Sequence, residues 1–465
     1  MREKMYFWNI EKDDERIAII DQNDSKLTYG NLFEKVQMMK DCLPDSSRKR
    51  LGLILCQNQA FPIMAYLAAL QRQDAVMLLD EKLDEALLLN IVNTYKPDWI
   101  FSVDRKPEFP SSYKFSDHTF FQIWTNHTNE EMDSIHPDLA VLLSTSGTTG
   151  SAKFVRLSYQ NLQANAESIV NYLPITTNER AITTLPMQYS YGLSVINSHL
   201  LAQGPLILTD ASMLSKEFWS LFHEHNVTSF AGVPYTYQML QRLRFEKMDL
   251  PSLRYFTQAG GRLAPTLVDY FAKCAHDKGV QFFVMYGQTE ATARISYVPP
   301  ERILEKKESI GVPIPNGKLW VDEDTSELLY EGPNVMMGYA ETRQDLAKGD
   351  ELNGLLHTGD LGRVDNGGFF YITGRMKRFI KLFGLRLNLD DIEKRIEQQQ
   401  GIVVACVGND DRLLVFLENG DLLEPVKQDI LKVYKLHPSV VKVSAVSKLP
   451  RFENGKINYN KLKDL

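Results

Sequence analysis

Between about residue 50 and residue 285 short apolar runs alternate with amphipathic stretches, and this alternation narrows the fold more than any other feature. Residues 51–56, 75–79, 99–103, 181–185, 205–209, 227–230 and 281–285 read as strands. Residues 61–71, 83–92, 160–172, 216–225 and 264–278 read as the helices between them. Such alternation predicts parallel sheets wrapped by helices. With 465 residues the chain is too long for one ordinary core. Its 44% apolar and 24% charged content is that of a globular protein.

Past Tyr286 the character changes. Glycines and turn signals crowd about 300–374, which reads as β-rich. After Gly374 a compact α+β module follows, with helices over 389–399 and 422–433 and strands over 402–407, 413–417 and 440–446. The reading is therefore an α/β fold. A large N-terminal domain of helix-wrapped sheets covers 1–375 and includes the β-rich subdomain. A small α+β C-terminal domain covers 376–465, joined by a short linker suited to a hinge.

The formal charge of −7 argues against a nucleic-acid surface. The four cysteines (Cys42, Cys56, Cys274, Cys406) lie far apart, which excludes a zinc knuckle or disulfide scaffold and fits a reducing compartment. The first residues lack a signal-peptide core and no stretch is long and apolar enough for a bilayer, so the expectation is a cytoplasmic chain with no membrane span.

Residues 139–143 read as a buried strand that opens into Ser144, Thr145, Ser146, Gly147, Thr148, Thr149, Gly150, Ser151, Ala152 and Lys153. Glycines let backbone N–H groups approach a ligand, hydroxyls donate to phosphoryl oxygens, and Lys153 adds positive charge. It is not a Walker A loop, because two residues separate Gly150 from Lys153 and Phe154 follows. Four further segments carry chemistry-bearing residues. Tyr286, Gly287, Gln288, Thr289 and Glu290 close the strand 281–285, where α/β sheets place ligand loops. There an aromatic can stack on a base, a threonine can bond a phosphate, and a glutamate can hold Mg²⁺. Gly260 and Gly261 permit close backbone approach. Asp360, after His357, Thr358 and Gly359, can accept both hydroxyls of a ribose. Lys456 stands beside Gly455, nine residues from the last. Each segment alone also reads as an ordinary turn, a linker charge or a solvated lysine.

In order and spacing, from 27–32 to Lys456, the chain resembles the ANL superfamily of adenylate-forming enzymes. The resemblance implies ATP and Mg²⁺ as cofactors and a small-molecule carboxylic acid as substrate. The acyl acceptor is CoA or the phosphopantetheine of an acyl or peptidyl carrier protein. It implies that the loop 144–153 holds the β- and γ-phosphates, that Tyr286 stacks on adenine, and that Thr289 contacts phosphate. Glu290 is the Mg²⁺-associated acid, Asp360 binds ribose with help from Arg375, and Lys456 bridges the substrate carboxylate and the α-phosphate. Lys377 falls at the hinge position of a mobile lid. Gly384 leaves room for a pantetheine arm, and Arg386 stands near phosphate.

The implied reaction is acid activation to acyl-AMP plus pyrophosphate, then transfer to a thiol. An enzyme that stops at acyl-AMP and a non-catalytic adenylate-binding homologue stay open as alternatives. Tyr189 reads equally as an aromatic gate or a core tyrosine. Gly192 stands where amino-acid-activating relatives carry an aspartate, and burying an unpaired ammonium is costly. The expected acid is thus aliphatic, aryl or another organic acid, with Gly232 on one wall.

Overall fold

The computed structural model describes residues 6–21, 24–44, 47–127, 133–144, 153–376, 378–382, 385–409, 411–452 and 455–463, with backbone alone for Phe379, Lys381, Leu385 and Arg386. It divides into two compact units. The first comprises Met1–Lys307, Gly311–Lys318 and Tyr330–Leu356; the second comprises Glu308–Ile310, Leu319–Leu329 and His357–Leu465.

Two large mixed sheets build the first unit. One has nine strands, and Gln281–Tyr286, Tyr255–Gln258, Ser229–Gly232, Ala181–Ile182, Leu206–Ile207 and Ile17–Ile20 run parallel in that order. The other has eight strands around a parallel centre of Leu139–Ser144, Ala75–Asp80, Leu51–Cys56 and Trp99–Ser102. The parallel strands expected from the alternation are present, and antiparallel strands finish the edges. Tyr113–His118 and Phe121–Asn126 make one such edge; Phe154–Ser158 and Gly338–Ala340 make the other.

Helix Ala60–Gln71 is buried from Pro62 through Leu70, as a helix that is apolar all round must be. Its residues join Ile54 and Leu78 of the eight-stranded sheet and Ala181 and Leu206 of the nine-stranded sheet in one apolar cluster. Helix Tyr159–Tyr172 begins where strand Phe154–Ser158 ends. Ser158 Oγ accepts from the Asn161 N–H at 3.0 Å and Asn161 Oδ1 accepts from the Ser158 N–H at 2.8 Å, a reciprocal cap that fixes the exit from the strand.

The second unit holds most of a four-stranded sheet, ordered Lys318–Val321, Glu327–Glu331, Leu355–Val364 and Phe370–Arg375. It also holds a three-stranded sheet of Val404–Gly408, Leu413–Leu417 and Val441–Ala445. Helices Leu389–Gln400 and Leu423–Tyr434 pack on the three-stranded sheet through Ile392, Ile396, Val426 and Ile430, all buried. The amphipathic period in the sequence is realised there. In the chain, a hairpin separates the two sheets, with Phe379–Leu382 paired to Leu385–Asn388. A single strand over 379–388 is the simpler reading of the sequence, and it fails for a reason of parity. Ile380 and Leu382 are buried at even positions, Leu387 and Leu389 at odd ones. A straight strand cannot bury both sets on one face.

All four cysteines are free, and three of them are buried. Among the described residues no helix is long and apolar enough to cross a membrane.

Candidate active site

Gly232, Gln258 and Val284 are neighbours in register, so two of the three parallel strands end level and the third, Gln281–Tyr286, runs two residues further. Tyr286 lies two residues past that line, half-buried, and its hydroxyl accepts from Gln288 Nε2 at 3.0 Å. A Cβ at Gly287 would collide with the Ala293 carbonyl oxygen, so the backbone here doubles back with no room for a side chain. Thr289 and Glu290 occupy the short turn Thr289–Ala291. Thr289 Oγ1 lies 3.3 Å from Ser190 Oγ, the first residue of helix Ser190–Ala202.

Glu290 is held at both ends. Its carbonyl accepts from the Met336 N–H at 2.9 Å, and its Oε1 accepts from the Tyr339 hydroxyl at 2.9 Å. Burial, and then the neighbouring Glu290 carboxylate, push the Tyr339 phenol up, so it stays a donor. Lys153 Nζ lies 3.8 Å from the centre of the Tyr339 ring and 3.8 Å from Glu341 Oε1. One tyrosine thus joins the lysine that closes the hydroxyl-rich loop to the Glu290 carboxylate. The loop's Thr145, Ser146, Gly147, Thr148, Thr149 and Gly150 lie outside the described residues.

Arg156, three residues after Lys153, supports this corner from beneath. Fully buried, it donates to the carbonyls of Tyr339 (3.1 Å) and Met337 (3.2 Å), and to Glu351 Oε2 at 2.5 Å. Gly338, between those carbonyls, has φ 133° and no space for a side chain against Arg156 and Glu351. Sequence reading passed over both Tyr339 and Arg156. The signal for Arg156 is a charge inside an apolar strand, FVRLS.

Tyr189 is half-buried, and its hydroxyl would stand 2.5 Å from a Cβ placed on Gly260, which has φ 81°. Gly261 meets Pro234, Gly232 meets the Tyr237 ring, and a Cβ on Gly192 would strike the Pro186 carbonyl. The glycines named from the sequence therefore lie where aromatic rings and backbone crowd the strand ends.

In the second unit Asp360 and Arg375 are paired in strand register, and Asp360 Oδ1 receives Arg375 Nε at 3.0 Å. The Asp360 side chain is 3% exposed and that of Arg375 61%. The turn before them is fixed by Glu327, whose Oε1 accepts from the Gly359 N–H at 2.8 Å and whose Oε2 meets His357 Nδ1 at 2.9 Å. Lys456 sits in a tight return stabilised by the bridge Arg451 to Ile457, and its carbonyl accepts from the Phe452 N–H at 2.8 Å. Gly455 takes φ 78° there, a left-handed turn that glycine admits without strain. Lys377 and Gly384 lie outside the described residues; the backbone of Arg386 pairs with Lys381 in the hairpin.

Neighbouring parallel strand ends, a backbone with no room for a side chain at Gly287 and a tyrosine-held carboxylate make the kind of site where α/β enzymes bind ligands. The chain belongs to the AMP-binding enzyme family, whose model matches residues 6–340. It is 28% identical to the 2-succinylbenzoate–CoA ligase of Bacillus subtilis (strain 168), over 97% of this chain and 95% of that one. It is 29% identical to the indoleacetate–CoA ligase of Aromatoleum aromaticum, over 69% of this chain and 66% of that one. In fold it is similar to the B. subtilis o-succinylbenzoate CoA synthetase solved with its acyl-adenylate intermediate, with TM-score 0.76, 24% identity, and coverage of 97% and 96%. It is also similar to ATP-bound MatB from Rhodopseudomonas palustris, with TM-score 0.77, 20% identity, and coverage of 98% and 97%.

Proposed function

We propose that the chain activates a small carboxylic acid with ATP and then passes the acyl group to the thiol of coenzyme A. The observation that carries this reading is the Lys153–Tyr339–Glu290 cluster beside Thr289, in a chain of the AMP-binding family. A carboxylate is a poor electrophile. Its oxygen attacks the α-phosphorus of ATP, the bond to the β-phosphate oxygen breaks, and pyrophosphate leaves. Negative charge builds on phosphoryl oxygens, so fixed donors that meet it there lower the barrier.

In this reading Lys153 and the loop 144–150 hold the departing phosphates, and Thr289 donates to a phosphoryl oxygen. Lys456 bridges the acid and the α-phosphate. Tyr286 stacks on adenine beside Gly260 and Gly261, while Asp360, steadied by Arg375, takes the ribose hydroxyls. Glu290 is oriented to hold Mg²⁺, because its carboxylate is pinned through one oxygen to Tyr339. Bound there, Mg²⁺ would draw charge from the phosphate oxygens. The thiol then attacks the acyl carbon, the bond to AMP breaks, and the thiol proton leaves. Lys377 serves as the hinge between an adenylation domain over 1–375 and a lid over 376–465, with Gly384 passing the pantetheine arm and Arg386 near phosphate. Gly192 supplies no carboxylate for an α-ammonium group, which favours aliphatic, aryl or other organic acids. Free cysteines and the absence of a spanning helix among the described residues fit work in the cytoplasm.

The test is pyrophosphate release over a panel of carboxylic acids, with CoA or holo-carrier protein as acceptor. AMP and an acyl-CoA are the expected products. ADP as product sinks the reading; a thioester formed only on carrier protein moves the acceptor.

A further inference from the structure

Arg294 is a buried charge without a counter-charge. It is 2% exposed, and among the described residues no carboxylate lies within ion-pair distance of it. Its Nε has no hydrogen-bond partner, Nη1 makes a long 3.4 Å contact with the Ala293 carbonyl, and the neutral Tyr172 hydroxyl lies within hydrogen-bonding reach of the guanidinium. The guanidinium lies over the Tyr191 ring, 4.2 Å from its centre. Tyr172, Tyr189 and Tyr191 surround it, and burial pushes each phenol up to about 12 despite the nearby cation, so none is a phenolate at neutral pH. By contrast Arg156, equally buried, has Glu351 and several carbonyls. An unpaired buried cation is costly unless something anionic visits it.

The place for that visitor is a cavity of about 20 Å³ that Arg294 lines together with Ser194, His199, Ser229, Tyr255 and Thr257. Two more of these walls carry unmatched polar atoms: His199 Nε2 and the Tyr255 hydroxyl, which has only Ser229 beside it. His199 Nδ1 is 2.8 Å from the Val195 carbonyl and must donate to it, so Nε2 is an acceptor. It repels an anion and suits a water or a hydroxyl; the donors lie on the side of Arg294 and Tyr255. The cavity is also placed correctly. Helix Ser190–Ala202 starts beside Thr289 and runs away from it, and Ser194 and His199 lie further along that helix. Tyr191, whose ring lies under Arg294 and whose hydroxyl is 2.7 Å from Thr257 Oγ1 of the cavity lining, directly follows the Ser190 that touches Thr289.

We infer that this cavity is the far end of the acid pocket and that the preferred substrate is a dicarboxylic acid, its second carboxylate received by Arg294. This rests on the adenylation reading above. The volume suits one water-sized group, so a single carboxylate oxygen enters while the rest of the acid fills the space above. No covalent step is added: the distal carboxylate is bound, and the proximal one reacts.

The experiment compares matched acids on the full chain: hexanoate with adipate, and benzoate with the three phthalate isomers. Pyrophosphate release gives kcat/KM, and the thermal shift produced by each acid with ATP gives binding. The wild type is expected to favour at least one diacid over its monoacid by more than tenfold. Arg294→Met should cut that ratio on the order of a hundredfold or more, with monoacid turnover kept, and Arg294→Lys should fall between. A preference for monoacids, or a diacid ratio that Arg294→Met leaves unchanged, overturns the inference and means the cavity holds only water. If Arg294→Met does not fold, Tyr255→Phe, which removes one donor, must lower the diacid ratio by itself. No pyrophosphate with any acid defeats the adenylation reading instead. The thermal shift of the wild type then still decides the cavity, since a diacid that stabilises no more than its monoacid counts against it.

Discussion

The hydroxyl of Tyr339 donates to Glu290 Oε1 at 2.9 Å, across 49 residues of chain, while its ring face carries the Lys153 ammonium. Tyr339→Phe keeps the ring under Lys153 and frees the carboxylate. A hydrogen bond to a charged group is worth about 1.5–3 kcal/mol, so roughly ten- to a hundredfold of the adenylation rate should go. Tyr339→Leu should lose more, because it removes the cation–ring contact as well. Pyrophosphate release against Mg²⁺ concentration checks this, and an unchanged Mg²⁺ dependence in Tyr339→Phe would show that the bond does not orient a metal ligand.

Arg156 is a stability residue with an effect on the site. Replacing it by Met takes one donor from each of the Met337 and Tyr339 carbonyls and the ion-pair partner from Glu351, and should cost about 2–4 kcal/mol. Urea midpoints measure it. Arg156→Lys, which can satisfy only some of these acceptors, should recover less than half.

The two steps of the reaction should separate by mutation. Lys456→Ala should lower pyrophosphate release on the order of 10²–10³-fold with ATP affinity nearly kept. Lys377→Pro should spare pyrophosphate release and block thioester formation. Equal loss of both activities in the second variant would remove Lys377 from the hinge.

Arg375 and Asp360 form a lopsided pair, one side chain exposed and the other buried. Removing the exposed partner takes a counter-charge from the buried Asp360 carboxylate, so it should cost more than the roughly 1 kcal/mol of a pair that faces solvent on both sides. The KM for ATP should rise as well, because the carboxylate we propose for the ribose loses its support. Melting temperature and ATP titration, measured on Arg375→Ala, distinguish a binding role from a structural one.

Burial pushes the His199 imidazole down to about 4, with the Val195 carbonyl pulling weakly the other way. An unfolded histidine titrates near 6.5, so between these values the unfolded chain takes a proton that the folded one refuses. The stability from keeping His199 neutral is complete above about pH 6.5 and is lost as pH falls toward 4, on the order of 3 kcal/mol in all. The difference in unfolding free energy between wild type and His199→Gln should therefore shrink from pH 7.5 to pH 4.5. Parallel curves would mean that His199 is reached by water.

Much of the fold could be read from the chain because a buried parallel strand is a continuous apolar run, and Leu51–Cys56 and Gln281–Tyr286 announce themselves. Helix Ser190–Ala202 did not, since its glycine, serines and tyrosines hide the period and its burial comes from neighbours on every side. Candidate site residues were legible where several unusual types cluster, as at Tyr286–Glu290. Tyr339, Arg294 and Glu327 were not. Tyr339 and Arg294 each stand between small or apolar neighbours, Glu327 follows a run of polar residues that reads as a turn, and only the folded chain reveals what each faces.

Strand Gly338–Ala340 completes the sheet edge begun by Phe154–Ser158, and that pairing has a consequence for synthesis. A ribosome adding about 5–20 residues per second needs roughly 10–40 s to travel from one strand to the other. Throughout that interval the nascent chain carries an open β-edge of five buried-type residues, FVRLS, with the Arg156 charge still unmet. Unpaired edges of this kind invite association with other chains. Cells making this protein quickly should therefore show it as a client of ribosome-associated chaperones, and codons that slow the ribosome between the two strands should lower its soluble yield.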